Sequence, residues 1–268
     1  MMAPANDPAP RARRSSLCYD SFRGNKAGNS AIGASLRTFR AILPVLLLCT
    51  AFSGPRATGN QGSGKMTIDY VLSMMDHSAR DFKSLTAAIQ HIKYTAVVKD
   101  TSTESGEIFV RKDSKVRIDF QSPDPRTILR NGDNLYIYTP KINRVEEYNI
   151  GKNRAMADEY LALGFGRRSE DLMKSYSITL VNEEDLDGHK AAVIELVPHS
   201  EEMKKHVTKI QMWVDEASWM PVQQKFFEAS SGDYVMSRYT KVMKNLKLGD
   251  GKFKPDWPKG AKVEKPRG

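Results

Sequence analysis

Between Gly106 and Pro140 the chain alternates apolar and polar residues in short segments, each cut off by turn-forming residues after a few positions. Gly106–Lys112, Lys115–Phe120, Arg126–Asn131 and Leu135–Thr139 all read this way. A period of two places successive side chains on opposite faces of a strand. Val116, Ile118 and Phe120 therefore share one face, and Arg117 and Asp119 the other. One dry and one wet face is the pattern of a half-buried antiparallel sheet. The Asn131-Gly-Asp-Asn134 cluster between two such segments is where a hairpin turns. The stretch predicts an antiparallel meander, and the rest of the chain has to be compatible with it.

Most of the remainder is. A long strand is expected over 85–98 and another at 143–148, followed after a break by strands at 176–182, 190–197, 207–215, 220–228 and 233–242. Ahead of them, Thr67 can cap a helix whose apolar residues Tyr70, Val71, Met74, Met75 and Ala79 recur at helical spacing. The break at 154–174 is also helical: Met156, Tyr160, Leu161, Leu163 and Phe165 form an apolar patch interrupted at Gly164 and Gly166. Ser169 can cap a second short helix containing Leu172 and Met173. Pro198–His206 is a polar connector, and the chain from Phe253 onward is Pro-rich and extended.

The chain has 268 residues and a formal charge of +9. The first 53 residues hold seven of the 41 Lys and Arg but only two of the 32 Asp and Glu. A surplus of four positive charges remains for the rest, which removes most of the support for nucleic-acid binding. Ala41–Phe52 is a short apolar run behind Arg37 and Arg40, followed by small residues at Ala51 and Ser53. This is the form of a secretory signal peptide cleaved near Ser53. It falls well short of the roughly 20 apolar residues that a spanning helix needs. Residues 1–53 are thus expected to be the signal and its upstream segment, 54–65 a Gly/Ser-rich linker, and 66–263 one folded domain. Cys18 and Cys49 both lie in the removable part, so the domain is held by its core and not by disulfides.

Motifs for chemistry fail on inspection. Gly59–Lys65 nearly spells a phosphate loop, but Met66 stands where Ser or Thr would hold magnesium, and no strand precedes it. Gly164-Phe-Gly166 is half of a dinucleotide fingerprint. His77, His91, His189, His199 and His206 form no metal-ligand pair. No nucleophile elbow is present, and acidic pairs such as Asp119 with Asp124 read as turn residues. No enzyme activity, cofactor or metal is expected. What remains is the apolar inner face of the sheet. Ile108, Val110, Val116, Ile118, Phe120, Leu129, Leu135 and Ile137 would line one side, and Leu196, Ile210, Met212, Val214 and Phe226 the other. The same residues would build the core of any sheet, whether or not it holds a ligand.

The order of these pieces resembles the LolA-like family, the periplasmic lipoprotein carriers and their relatives. The matching parts are Phe82–Val98, the Gly-led strand Gly106–Lys112, Lys115–Phe120, Pro123 and the hairpin Asn131–Pro140. Looser matches follow at Leu161–Tyr176, at Glu183–Gly188 before Lys190–Pro198, at Lys209–Asp215 before Trp219–Phe227, and at Phe253–Val263. The resemblance implies a mainly β (α+β) fold: an open, curved antiparallel sheet, an unclosed half-barrel, with helices covering its concave face. It implies a cavity for the acyl chain of a lipid or lipoprotein, closed by a lid containing Leu161, Leu163, Phe165 and Leu172, with Gly164 and Gly166 as hinges. The family typically places Arg-Pro after the Gly-led strand, where the Arg latches the lid. Lys112-Asp113 stands there in this chain, so the latch falls to Lys112, expected on the same face as Ile108 and Val110. Inner- and outer-membrane proteins are the implied partners, in outer-membrane lipoprotein sorting or lipid transport. The alternative is a periplasmic protein-interaction or lipid-sensing module of envelope-stress signalling, which uses a similar open barrel.

Overall fold

The computed structural model describes residues 65–229 and 232–266. The signal segment, its cleavage near Ser53, both cysteines and all but the last residue of the linker lie outside the described residues.

Twelve strands form a single sheet: β1 (Ser84–Thr95), β2 (Asp100–Arg111), β3 (Lys115–Ser122), β4 (Arg126–Asn131), β5 (Asn134–Thr139), β6 (Arg144–Asn149), β7 (Tyr176–Leu186), β8 (His189–Pro198), β9 (Val207–Asp215), β10 (Pro221–Glu228), β11 (Tyr234–Lys244) and β12 (Lys262–Glu264). Their order across the sheet is β12-β6-β5-β4-β3-β2-β1-β11-β10-β9-β8-β7. The sheet is open, because β7 and β12 end it without pairing to each other. Every neighbouring pair is antiparallel except β12 with β6. The fold is thus mainly β, as expected.

Two bounds moved. β1 stops at Thr95, short of the expected Val98, and β2 begins at Asp100 rather than Gly106. The polar residues of this hairpin pair in register from Ser84↔Arg111 to Thr95↔Asp100, so cross-strand bonding extends the ladder beyond its apolar part. Gly106 interrupts the face pattern for a steric reason. A Cβ there would lie 2.0 Å from the carbonyl oxygen of Asp119, next to a register shift at Ser105/Gly106. The strands approach too closely for any side chain.

The helices lie against one face of the sheet, called inner below. α1 (Ile68–Arg80) starts where Thr67 accepts a hydrogen bond from the Tyr70 amide. It buries Val71, Leu72, Met75 and Ala79, while Tyr70 turns outward and meets Trp219 edge-on. α2 (Arg154–Ala162), α3 (Ser169–Ser175) and α4 (Glu201–Lys204, inside the polar connector) are short. Ser169 was expected to cap α3 but is its first helical residue; its amide and hydroxyl both donate to Asp76 on α1. A carboxylate supplied by another helix satisfies the exposed end of α3.

Two apolar clusters fill the inner face. One joins α1, Leu163 and Leu172 to Ile194, Leu196, Ile210, Met212 and Phe226 of β8–β10. The other joins Phe82, Leu85, Ile89 and Phe165 to Ile108, Val110, Val116, Ile118 and Phe120 of β2 and β3. A smaller third cluster, Ala191, Val193 and Trp213, lies on the opposite face. There the turn of the β7–β8 hairpin reaches across to β11, where Asp187 pairs with Arg238 at 2.5 Å.

Candidate functional site

The cleft under α2 follows from the register of β3, β4 and β5. Ile118 faces Ile128, which faces Ile137, and Val116 faces Arg130, which faces Leu135. These six side chains therefore share the inner face. Val116 and Ile118 are buried, whereas Ile128, Leu135 and Ile137 are only half-buried. α2 crosses above them. Met156, Ala157, Tyr160 and Leu161 from the helix, with Ile128, Leu135, Ile137 and Ile150 below, enclose a cleft of about 290 Å³. Apart from the Tyr160 hydroxyl, its lining side chains are apolar. Tyr160 also stacks on Phe226 of β10 at 5.3 Å, so α2 bridges both parts of the inner face.

The hold on α2 is small. Tyr160 is exposed, and Met156 and Leu161 are half-buried. Arg154 at its start donates to Ser114 at 3.3 Å and lies 3.4 Å from Asp133; exposed pairs of this kind contribute about 0–1 kcal/mol. The strong tie is Arg130. Its guanidinium is fully buried, and Nη1 donates to Asp158 on α2. Nε donates to the carbonyl of Gly132 at 3.1 Å, and Nη2 has no partner among the described residues. A second, polar cleft of about 190 Å³ lies here, bordered by Arg130, Asp158, Ala162, Val116 and Lys112 among others.

The residues expected to line one cavity are therefore divided. Ile108, Val110, Val116, Ile118 and Phe120 sit in one packed cluster, and Leu196, Ile210, Met212 and Phe226 in the other. Leu135 and Ile137 alone of the set line the apolar cleft. Leu129 lies on the opposite face, beside Arg117 and Tyr136 in register. It is buried nonetheless, because the C-terminal segment crosses that face. Arg117 donates to the Lys252 carbonyl there, and Trp257 packs on Tyr136 and Tyr138. Leu129 and Arg130 are buried on opposite faces of β4, so hydrophobicity alone pointed to the wrong phase.

The lid divides as well. Leu161 belongs to α2 and borders the cleft. Leu163, Phe165 and Leu172 are buried in the clusters instead. The Leu163 carbonyl accepts from Gln224 at 2.6 Å, and Gln224 in turn accepts from Tyr239. Gly164 and Gly166 have φ of +77° and +66°. A Cβ on Gly164 would meet Pro221 at 2.8 Å, and one on Gly166 would meet the Phe82 ring at 2.3 Å. These glycines let the backbone plug the core at close range, which is an anchor's task rather than a hinge's. Lys112 stands exposed at the rim of the polar cleft, not buried among acceptors. Arg130 was missed, along with Ile128, Ile150 and Asp158. The only signal for Arg130 was a basic residue in phase with Ile128.

One histidine belongs to the inner face near these residues. His91 on β1 contacts the Phe120 ring and shares a hydrogen bond of 3.2 Å with Ser237. Burial, then the positive charges of Arg126 and Lys93, lower its pKa to about 4.

Known proteins offer partial matches. A family model described as that of an uncharacterized protein matches residues 112–250, just over half of the chain. An uncharacterized protein of Methanocaldococcus jannaschii is 24% identical over 199 residues, covering 74% of this chain. The chain spans 54% of that relative's length. An outer-membrane lipoprotein carrier protein of Cupriavidus taiwanensis is 27% identical over 170 residues, covering 63% of this chain and 74% of the relative. A LolA superfamily protein of Nitrosomonas europaea is similar in structure with a TM-score of 0.38 at 13% identity, over 71% of this chain and 98% of its own. The fold is LolA-like, as the order of segments implied.

Proposed function

The chain belongs to the family whose model spans residues 112–250, and from that premise we propose that it is a non-catalytic periplasmic carrier of a lipid or lipoprotein acyl chain. The observation that carries this reading is the apolar cleft beneath α2. Its size is at the lower end for a ligand pocket, roughly 300 Å³ upward, so a full acyl chain enters only when α2 lifts. Each methylene then removed from water contributes roughly 0.8 kcal/mol. Release needs α2 to move at modest cost, which its half-buried contacts and the partial exposure of Asp158 in the Arg130 pair permit. The likeness to an outer-membrane lipoprotein carrier protein supports the same class of cargo. Outer-membrane lipoprotein sorting or lipid transport is the role proposed, with inner- and outer-membrane proteins as donor and acceptor.

The test is binding of a fluorescent fatty-acyl probe by the purified protein. Replacing Leu135 and Ile137 together by Ser should weaken binding at least about tenfold, since each lost apolar contact costs on the order of 1 kcal/mol or more. The fold should persist, because neither side chain is fully buried. Absence of probe binding by the wild-type protein would reject the carrier and favour the protein-interaction module.

A further inference from the structure

Arg130 carries more donor capacity than its surroundings use. The side chain is entirely buried, yet only Nε and Nη1 have acceptors, and Nη2 has none. A buried guanidinium nitrogen without an acceptor is costly and uncommon in folded proteins. Among the described residues, Arg111, Lys112, Arg130, Arg167 and the carboxylate of Asp158 border the polar cleft around it. Arg111 is already engaged by Asp113 and Asp250, and Lys112 is exposed to water, whereas Arg130 borders the cleft with a buried nitrogen that lacks an acceptor.

The cleft also adjoins the apolar one. Arg130 and Leu135 are direct cross-strand partners on the inner face, and Leu135 lines the apolar cleft while Arg130 lines the polar one. On α2, Asp158 and Ala162 border the polar cleft, and Ala157 and Leu161 the apolar one. A charged socket and a greasy slot thus meet under one helix.

We propose that Arg130 binds the oxyanion, carboxylate or phosphate, at the head of an anionic amphiphile whose chain occupies the apolar cleft. This rests on the acyl-binding reading above and names the class of cargo. Two oxygens of a carboxylate or of a phosphate match the spacing of the guanidinium fork. The head group meets Nη2 and competes with Asp158 for Nη1. Its arrival and the release of α2 are one exchange, so anionic cargo loosens its own lid.

The test compares a fatty acid with the fatty alcohol of equal chain length at a pH where the acid is ionised, with inorganic phosphate as a third probe. The wild-type protein is expected to bind the acid at least about tenfold more tightly than the alcohol, as a charge-assisted hydrogen bond implies. Arg130→Met should abolish this preference, read as the ratio of acid to alcohol affinity within the variant, because loss of the tie to α2 shifts both affinities alike. Asp158→Asn should widen it, because the competing carboxylate is gone. If Arg130→Met does not fold, the Asp158→Asn ratio decides alone, and an unchanged or narrower ratio overturns the proposal. Equal wild-type affinity for acid and alcohol overturns the head-group assignment and leaves the acyl reading intact. Binding of neither overturns the acyl reading, and the assignment with it. Phosphate binding as tightly as the acid marks a site for free anions and also overturns it.

Discussion

The two parts of the inner face differ in how completely they are filled. Over β8–β10 the side chains of α1, Leu163 and Leu172 leave Ile194, Leu196, Ile210 and Met212 fully buried. Over β4 and β5 only α2 covers the sheet, and Ile128, Leu135 and Ile137 stay half-buried around a cleft. Both parts are built from the same alternating apolar strands. The covering element makes the difference: a long capped helix and a backbone plug on one side, a short helix tied to the sheet through Arg130 and the part-exposed Asp158 on the other. Stability therefore belongs to the first region and adaptability to the second, where a ligand can replace what the fold does not supply.

This contrast can be broken most directly at the plug. Leu163→Ala should cost about 2–5 kcal/mol in a denaturant titration, the range for a fully buried leucine. A cost near that of a surface substitution would mean that the plug is loose after all. Acid provides the next largest effect. His91 is held neutral in the folded state, with its pKa lowered to about 4 chiefly by burial, whereas the unfolded chain protonates it near 6.5. The unfolded state thus binds more protons between these values, and stability falls as pH drops from about 6.5 to about 4. The loss is at most about 3 kcal/mol, and His91→Gln should remove it; an unchanged pH dependence in that variant would reject the assignment.

Gly166→Ala sharpens the comparison further. A left-handed φ and a contact with Phe82 together predict a loss of at least about 2 kcal/mol. A hinge would instead tolerate alanine with little change in melting temperature and show slower release of a bound probe. The smallest effect is expected in the cleft. Leu135→Ala should cost about 1 kcal/mol or less in stability, below the 2–5 kcal/mol of a fully buried leucine, while measurably weakening acyl-probe binding. Should it destabilise the protein as much as Leu163→Ala, the two parts of the face would be equally packed and the cleft would be core.

The strands of the meander were legible from residue order because alternation is a local property. β4 spans the expected Arg126–Asn131, and Val116, Ile118 and Phe120 share the inner face as their spacing required. The capped helix before them was readable for the same reason, since Thr67 and the apolar spacing lie within one segment. The phase of β4 was not. Leu129 looked like an inward residue because the segment that dries its outer face arrives more than a hundred positions later.

The sequence by itself thus determined the alternation, the hairpin order and the placing of glycine where a turn or a plug interrupts the pattern. Those are consequences of neighbours along the chain. Tertiary structure alone decided which apolar residues became core and which border a cleft, and that the cation held against α2 is Arg130 rather than Lys112. The reason is that burial depends on what covers a face, and an ion pair on which strand lies beneath a helix. Neither is encoded within one segment; both arise when distant segments meet over the same sheet.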